Sequence, residues 1–567
     1  MKSEFNQLQT DFEKQLTDTP YSQHPRPQFK RENYLSLNGW WDFCVQSKSG
    51  ERQKSKKILV PFAPESRISG VFTEIMQGDL MIYSRNFTLE KSFNKGKVIL
   101  HVDECDQSIK VILNGKEIYE SEGVLPHEID VTQFLAQENH LEIIAKDDLD
   151  KDIPYGKQRK DRGGMWYTKT SGIKKNVWLV SMPLVCVTDL KIKTDLTGIN
   201  LTVKGGENKK TVIIDNKTYE FYGESTRIEM QNPIHWSPDN PHLYYFDLIS
   251  GEDKISSYFG LREVSVGKVG EKHVIMLNGK PIFCHGLLDQ GYFSDGIYLP
   301  ATENGFLNDV LSMKKLGFNV LRKHIKLEPD IFYYYCDKYG MLVFQDMINN
   351  GKYSFLIDTA LPTIFLKKGI SHRVSLRRKQ LFMQTSLGII DALYNHPSVV
   401  YYTIFNEGWG QFGEEECYKT LKNADDSRIY DTTSGWFKKQ CTDVESDHVY
   451  FKKIKPKKTN KPWVLSEFGG YSYKIQEHSF NVEKTYGYKY FDNREDFNGA
   501  LEKLYLEQIV PAIKSGLCAS ILTEVSDIED ETNGLLTYDR KILKVDQERF
   551  SDISKKLYET FEKEIKS

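Results

Sequence analysis

The sequence, 567 residues long, lacks any close pair of cysteines. Its eight, Cys44, Cys105, Cys186, Cys284, Cys336, Cys417, Cys441 and Cys518, stand singly, most within apolar runs such as Ile282-Phe283-Cys284. That pattern reads as reduced, buried thiols acting as small hydrophobes. It argues against both a disulfide framework and a zinc site. No apolar stretch approaches ~20 residues, so no membrane span is expected. The start, Met1 to Gln7, has no apolar core of a secretory signal, and a cytoplasmic protein is the expectation. An excess of one charge is also missing. With 76 basic and 79 acidic residues, net charge -3, nothing resembles a nucleic-acid footprint. The one dense basic run, Lys452 to Lys458, reads as a solvated loop. Hydrophobic content is a modest 39%, and the 13% of aromatics partly compensates, because each ring buries a large area.

The length suggests three or four units, and the rhythm of the chain marks three. From Trp40 to about Val180, short β-type runs alternate with turn residues; Leu80 to Phe87 and Val98 to Val102 are two of them. Val111-Ile112-Leu113 leads into the hairpin signal Asn114-Gly115. This predicts a β-sandwich over 1–182. Short β runs continue to Val266, and 183–266 suits an immunoglobulin-like sandwich. After Gly267, strand-like runs alternate with helical periodicity, the mark of βα units. Strands are predicted at Pro281–Gly286, Phe318–Arg322, Met341–Asp346, Val399–Glu407, Arg428–Thr433, near Asp447–Tyr450, at Trp463–Glu467 and at Cys518–Glu524. Thr302 is a candidate cap for the first helix, Gly340 the stop of the second, and an insertion runs from Met347 to about Val374. Eight such units over 267–567 predict a (β/α)₈ TIM barrel.

Two of these strands end in carboxylates, Asn406-Glu407 and Ser466-Glu467. In a parallel barrel the strand C-termini converge on one face. Two facing carboxylates are what glycoside hydrolysis requires.

At these residues the chain resembles glycoside hydrolase family 2, which includes β-galactosidases, β-glucuronidases and β-mannosidases. The resemblance is carried by Asn406-Glu407-Gly408-Trp409, Leu465 to Gly470, Leu321-Arg322-Lys323-His324, and Thr168 to Ile173 with Val177-Trp178-Leu179. These islands fall in the family's order. The resemblance implies a jelly-roll sugar-binding-like domain at the N-terminus. It implies Glu467 as nucleophile and Glu407 as acid/base of a retaining exo-β-glycosidase, β-galactoside-type substrates leading. A β-glucuronidase, a related exo-glycosidase, or a carbohydrate-binding protein without catalysis are the alternatives. Arg322 would keep Glu467 ionised, and Asn406 would bond the sugar 2-hydroxyl. His285, His324 and Asp346, ending the first three strands, are candidates for sugar hydroxyls. Tyr450 would bond the nucleophile, and Trp409 and Trp436 are platform candidates. Glu524 lies beside Thr523, which takes the place of a Trp that many members carry under the sugar. The Asn-x-Lys pair with which β-glucuronidases grip a carboxylate is absent after the nucleophile. The two-carboxylate mechanism needs no metal or cofactor. The expected partner is a carbohydrate substrate, with a homo-oligomer possible from the family prior.

Overall fold

The computed structural model describes residues 7–354, 358 and 374–566. The first domain packs a four-stranded sheet on a six-stranded one. The first runs Tyr34–Ser36, Val177–Met182, Lys97–Val102, His127–Asp130; the second runs Lys56–Val60, Gly39–Gln46, Leu80–Thr88, Glu138–Lys146, Ser108–Leu113, Lys116–Glu122. Alternation drives it. In Gly39–Gln46 the inward Trp41, Phe43 and Val45 are buried while Trp40 and Asp42 face water. Each such side chain contributes about 1.5–3 kcal/mol by burial. Asn114 (φ 52°) and Gly115 (φ 78°) make the two-residue hairpin turn, where both positions need positive φ. The second domain packs three strands on four around Leu190, Ile199, Leu201, Val212, Leu248 and Ile255. It grips the barrel through Asn395, which bonds Ile192 N and Leu190 O at 2.7 Å each, and through buried Arg262, which donates to Pro397 O and Val399 O.

A hairpin, Lys272–Leu277 with Lys280–Pro281, precedes the barrel. The barrel strands are β1 (Cys284–Asp289), β2 (Val320–Lys323), β3 (Leu342–Asp346), β4 (Val399–Asn406), β5 (Ile429–Ser434), β6 (Glu445–Val449), β7 (Trp463–Gly469) and β8 (Leu517–Thr523). They lie parallel in the order β5-β4-β3-β2-β1-β8-β7-β6. β3, β4 and β7 are buried at every residue, which is why they read as near-continuous apolar runs. The β5–β6 seam is closed by Asp443, whose N–H reaches Tyr430 O and whose carboxylate accepts from Tyr430 N, both at 2.9 Å.

Among the described residues the barrel domain's α-helices are α1 (Asn304–Lys315), α2 (Asp330–Tyr339), α3 (Leu376–Leu393), α4 (Glu414–Ala424), α5 (Arg494–Leu504, continued by further helical turns to Lys514) and α6 (Gln547–Lys566). Gly340 does end α2, at φ 74° with its N–H on Cys336 O. Thr302 does not cap α1: the helix begins after Glu303 and the Thr302 hydroxyl has no partner. The connections after β5 and β6 carry no helix, so the barrel departs from eight full βα units. Of the insertion expected at 347–374, residues 355–357 and 359–373 lie outside the described residues.

Candidate active site

Arg322, at the tip of β2, is the hub of the barrel mouth. It is fully buried, and its guanidinium donates to acceptors from four other strands. Nε meets Asp346 Oδ1 (3.0 Å, β3); Nη1 meets Glu467 Oε1 (2.8 Å) and Ser466 O (2.9 Å, β7). Nη2 meets Asn406 Oδ1 (2.9 Å, β4) and Ser434 Oγ (3.2 Å, β5). A planar fork of five N–H groups can do this; a single ammonium cannot.

Asn406 Oδ1 accepts from both Arg322 and Ser434, so its amide is fixed with the NH₂ group left for a ligand. Asp346 accepts from Arg322 with one oxygen and from His324 Nδ1 (2.8 Å) with the other. Burial works against ionising Asp346, but Arg322 and His324 outweigh it and its pKa is lowered. Burial pushes His324 down to about 4, so the ring is neutral, with its Nδ1–H donated to Asp346.

Glu467 sits inside β7, 4% exposed. Burial alone would raise its pKa; the positive charge beside it, Arg322 at 2.8 Å, and the hydrogen bond from the Tyr450 hydroxyl hold it below the usual carboxylate range, so it is ionised at neutral pH. Tyr450 donates to Glu467 Oε2 and lies 3.0 Å from Thr523 Oγ1, with its ring stacked on Tyr488. Glu407, just past β4, adopts φ 51°, a bend that turns its carboxylate back over the mouth. One imidazole joins the two: His448 Nδ1 is 2.9 Å from Glu407 Oε1 and 3.5 Å from Glu467 Oε2. A carboxylate oxygen of each glutamate and a His448 nitrogen all lie within 4.8 Å of one another. Among the described residues this trio is the one cluster with metal-ligand spacing. Arg322, 2.8 Å from Glu467, already supplies positive charge there.

The structure therefore brings together Glu407, Glu467, Arg322, Asn406, Asp346, His324 and Tyr450. Trp436 is half-buried at the same mouth, its ring edge-on to His448 at 6.1 Å. Three other expectations need correction. His285 does not end a strand: the preceding hairpin displaces β1 to Cys284–Asp289, so His285 lies near its start. It faces the helix layer, bonded to Ser554 of α6 (3.1 Å) and packed on Phe318 and Tyr505. Trp409 is 2% exposed and no open platform: it packs edge-on against Tyr155 and Trp166, and its N–H donates to Gly351 O. Glu524 is fully enclosed and both its oxygens lack a partner. Burial, with Glu531 and Asp527 nearby, raises its pKa well above the carboxylate range.

Two residues at the mouth had not been picked out. His448 stood in the sixth strand, where only Tyr450 drew notice. Lys157 comes from the first domain, on a loop seated on the barrel by Tyr155 N to Asn349 O and Tyr167 OH to Glu531 (2.5 Å). It is nine-tenths buried, its ammonium lies 5.4 Å from the Trp166 ring, and it makes no ion pair or hydrogen bond among the described residues. Gly156-Lys157-Gln158 carries no local pattern that marks it; only the docking of two domains does.

Comparison with known proteins bears on the whole arrangement. Residues 268–541 match the model of the glycosyl hydrolases family 2 TIM barrel domain. Residues 56–178 match the glycosyl hydrolase 2 galactose-binding domain-like model, and 187–262 the glycosyl hydrolases family 2 model. The chain belongs to glycoside hydrolase family 2. It is 23% identical over 428 residues to a β-galactosidase of Leuconostoc mesenteroides, covering 69% of this chain and 39% of that protein. This family 2 chain thus spans well under half the length of that relative. It superposes on a β-glucuronidase of Ruminococcus gnavus with TM-score 0.75 at 17% identity, covering 95% of this chain and 100% of that one. A family 2 β-galacturonidase of Eisenbergiella tayi gives 0.69 at 19% identity, covering 94% and 98%. At such identities these structures show a shared fold.

Proposed function

We propose that the protein is an exo-acting retaining β-glycosidase in which Glu467 is the nucleophile and Glu407 the acid/base. The observation that carries this is the close approach of the two carboxylates, with oxygens no more than 4.8 Å apart. Retaining enzymes place them about 5–5.5 Å apart, whereas inverting ones leave about 6.5–9.5 Å for a water. In the first step a Glu467 oxygen bonds the anomeric carbon, the bond from that carbon to the leaving-group oxygen breaks, and Glu407 gives the leaving-group oxygen its proton. In the second, water attacks the same carbon, Glu407 takes the water's proton, and Glu467 leaves as a carboxylate. Arg322 keeps Glu467 ionised for the attack and holds Asn406 for the sugar 2-hydroxyl. Asp346 and His324 face the remaining hydroxyls. Trp436 offers the sugar an apolar face in place of the ring missing at Thr523.

β-Galactoside-type sugars are the leading substrates, supported by the similarity to a β-galactosidase. A second reading, a β-linked uronic acid, is supported by Lys157, a buried cation at the mouth that faces Glu531 and Glu524 but makes no direct ion pair among the described residues. A panel of nitrophenyl β-glycosides, uronides included, tests both. Release from galactosides supports the first and release from uronides alone the second. Release from none would leave a carbohydrate-binding protein. The free, mostly buried cysteines suit a reducing compartment, and we propose a cytoplasmic location, to be tested by cell fractionation.

A further inference from the structure

His448 is placed as no structural residue needs to be. Its side chain is wholly buried between the two catalytic carboxylates. Gly435 (φ 92°) backs the ring so closely that a Cβ there would lie 2.4 Å from the ring's Cγ, so the imidazole cannot retreat. Nε2 lies 3.4 Å from Arg322 Nη1. Nη1 gives its two hydrogens mainly to Glu467 and Ser466 O, and a guanidinium has no acceptor, so an N–H on Nε2 would find no partner there. The ring proton is therefore on Nδ1, and Nδ1 faces Glu407 at 2.9 Å and Glu467 at 3.5 Å. Arg322 thus selects the tautomer, as a partner on one ring nitrogen generally does for the other.

We propose that His448 is a positioning residue whose Nδ1–H follows the negative charge between Glu467 and Glu407 during turnover. This rests on the roles given to the two glutamates above. At the start Glu467 is ionised and Glu407 protonated, so the Nδ1–H, which lies nearer Glu407 in this structure (2.9 Å against 3.5 Å), turns toward Glu467. Once Glu467 is esterified and Glu407 has given up its proton, the same N–H serves the Glu407 carboxylate. Water's proton then returns to Glu407, Glu467 is released as a carboxylate, and the bond reverts. The proton stays on Nδ1 throughout, and no proton is gained or lost by the ring. The other charged groups facing the imidazole are Arg322 on β2 and, from the neighbouring strand β5, Asp431, whose carboxylate accepts from Tyr401.

The test is the pH profile of kcat/KM for an aryl β-glycoside of whichever sugar the panel selects. The acid limb reports Glu467 and the alkaline limb Glu407. A donor to an ionised carboxylate lowers its pKa. Replacing it, in His448→Leu, should move both limbs to higher pH by about one unit, the size of a lost hydrogen bond to a charged group. His448→Asn, whose amide N–H replaces Nδ1–H, should return both limbs close to their wild-type positions. If the leucine variant does not fold, His448→Gln replaces it, because its amide reaches past Nδ1 toward Arg322. Limbs that stay in place while kcat falls, or an asparagine variant no better than leucine, would overturn the role. The stereochemistry of the wild-type product, followed by NMR, separates the two levels. Inversion would remove the reading on which the proposal rests, whereas retention with unmoved limbs would remove His448 alone.

Discussion

Arg322 and Lys323 are neighbours on β2, both cations and both fully buried, yet they serve different networks. Arg322 points into the barrel mouth and joins Asp346, Glu467, Asn406 and Ser434. Lys323 points the other way, to Asp289 (2.7 Å) and Glu328 (2.9 Å), and its ammonium lies 4.4 Å from the Phe332 ring. Glu328 also holds Lys326, whose ammonium reaches Gly291 O and Tyr298 O. The second network ties together the loops after β1 and β2. Strand periodicity alone separates the two, since successive side chains leave opposite faces. The lesson is that a buried ion network marks function only when its carboxylates also meet a cleft where a substrate can sit. Lys323 is paired directly with Asp289 and Glu328; Glu407 and Glu467 are held apart, unneutralised by each other, with a donor between them.

The comparison can be broken at several points. Glu467→Ala should have the largest effect on activity, a fall of at least about 10⁴-fold in kcat on the scale seen when a nucleophile is removed. Steady-state rates check it, with thermal melting to confirm the fold. Arg322→Lys keeps the charge and loses the fork, so kcat/KM should fall by about 10²-fold or more through mispositioned groups. A conservative loss under tenfold would mean that charge alone suffices. Lys323→Met should do the reverse. It removes the ion-pair partner of Asp289, leaves Glu328 with Lys326 alone, and should cost about 3–5 kcal/mol in urea unfolding, with kcat/KM of the folded fraction within about fivefold of wild type.

The two networks should also part under pH. Glu467 is held below its unfolded value of about 4.3 when folded. Its contribution is present above pH ~4.3 and lost as pH falls through the lower folded value. Lys326 is pushed down by burial to about 8. Below that pH its charge burdens the folded state, and the burden lifts between pH 8 and about 10.4. Urea midpoints of Glu467→Gln and Lys326→Met relative to wild type, at acid and alkaline pH respectively, should show these opposite signs. The smallest effect belongs to His285→Leu. Its ring faces α6, so kcat/KM should stay within about twofold while stability falls by about 1 kcal/mol with the Ser554 bond; a large loss of activity would contradict its placement.

Much of this was legible in the sequence. β4 and β7 announce themselves as apolar runs cut off by Asn406-Glu407 and Glu467, and Arg322 by the polar end of a short run after Phe318. What was not legible depends on contacts across space. His285 reads as a strand tip until the hairpin before it is seen to shift the strand. Trp409 reads as a sugar platform until Tyr155 and Trp166 arrive from another domain to enclose it. Lys157 sits in that same visiting loop. His448 is one residue in a weakly apolar stretch, Asp447 to Tyr450, and its meaning comes only from the carboxylates on β4 and β7 that close around it.

The central claim, that Glu467 bonds the sugar while Glu407 moves the proton, is tested most directly by azide rescue of Glu407→Ala with an activated aryl glycoside. Such a leaving group needs little help from an acid, whose assistance is otherwise worth roughly 10²–10⁴-fold. Glycosylation should therefore stay fast and deglycosylation should slow, and a burst of phenol should appear. Azide, which needs no base, should speed turnover and give the β-glycosyl azide, the configuration of the substrate. Rescue of Glu467→Ala instead, with the α-glycosyl azide as product, would show that the two roles are reversed.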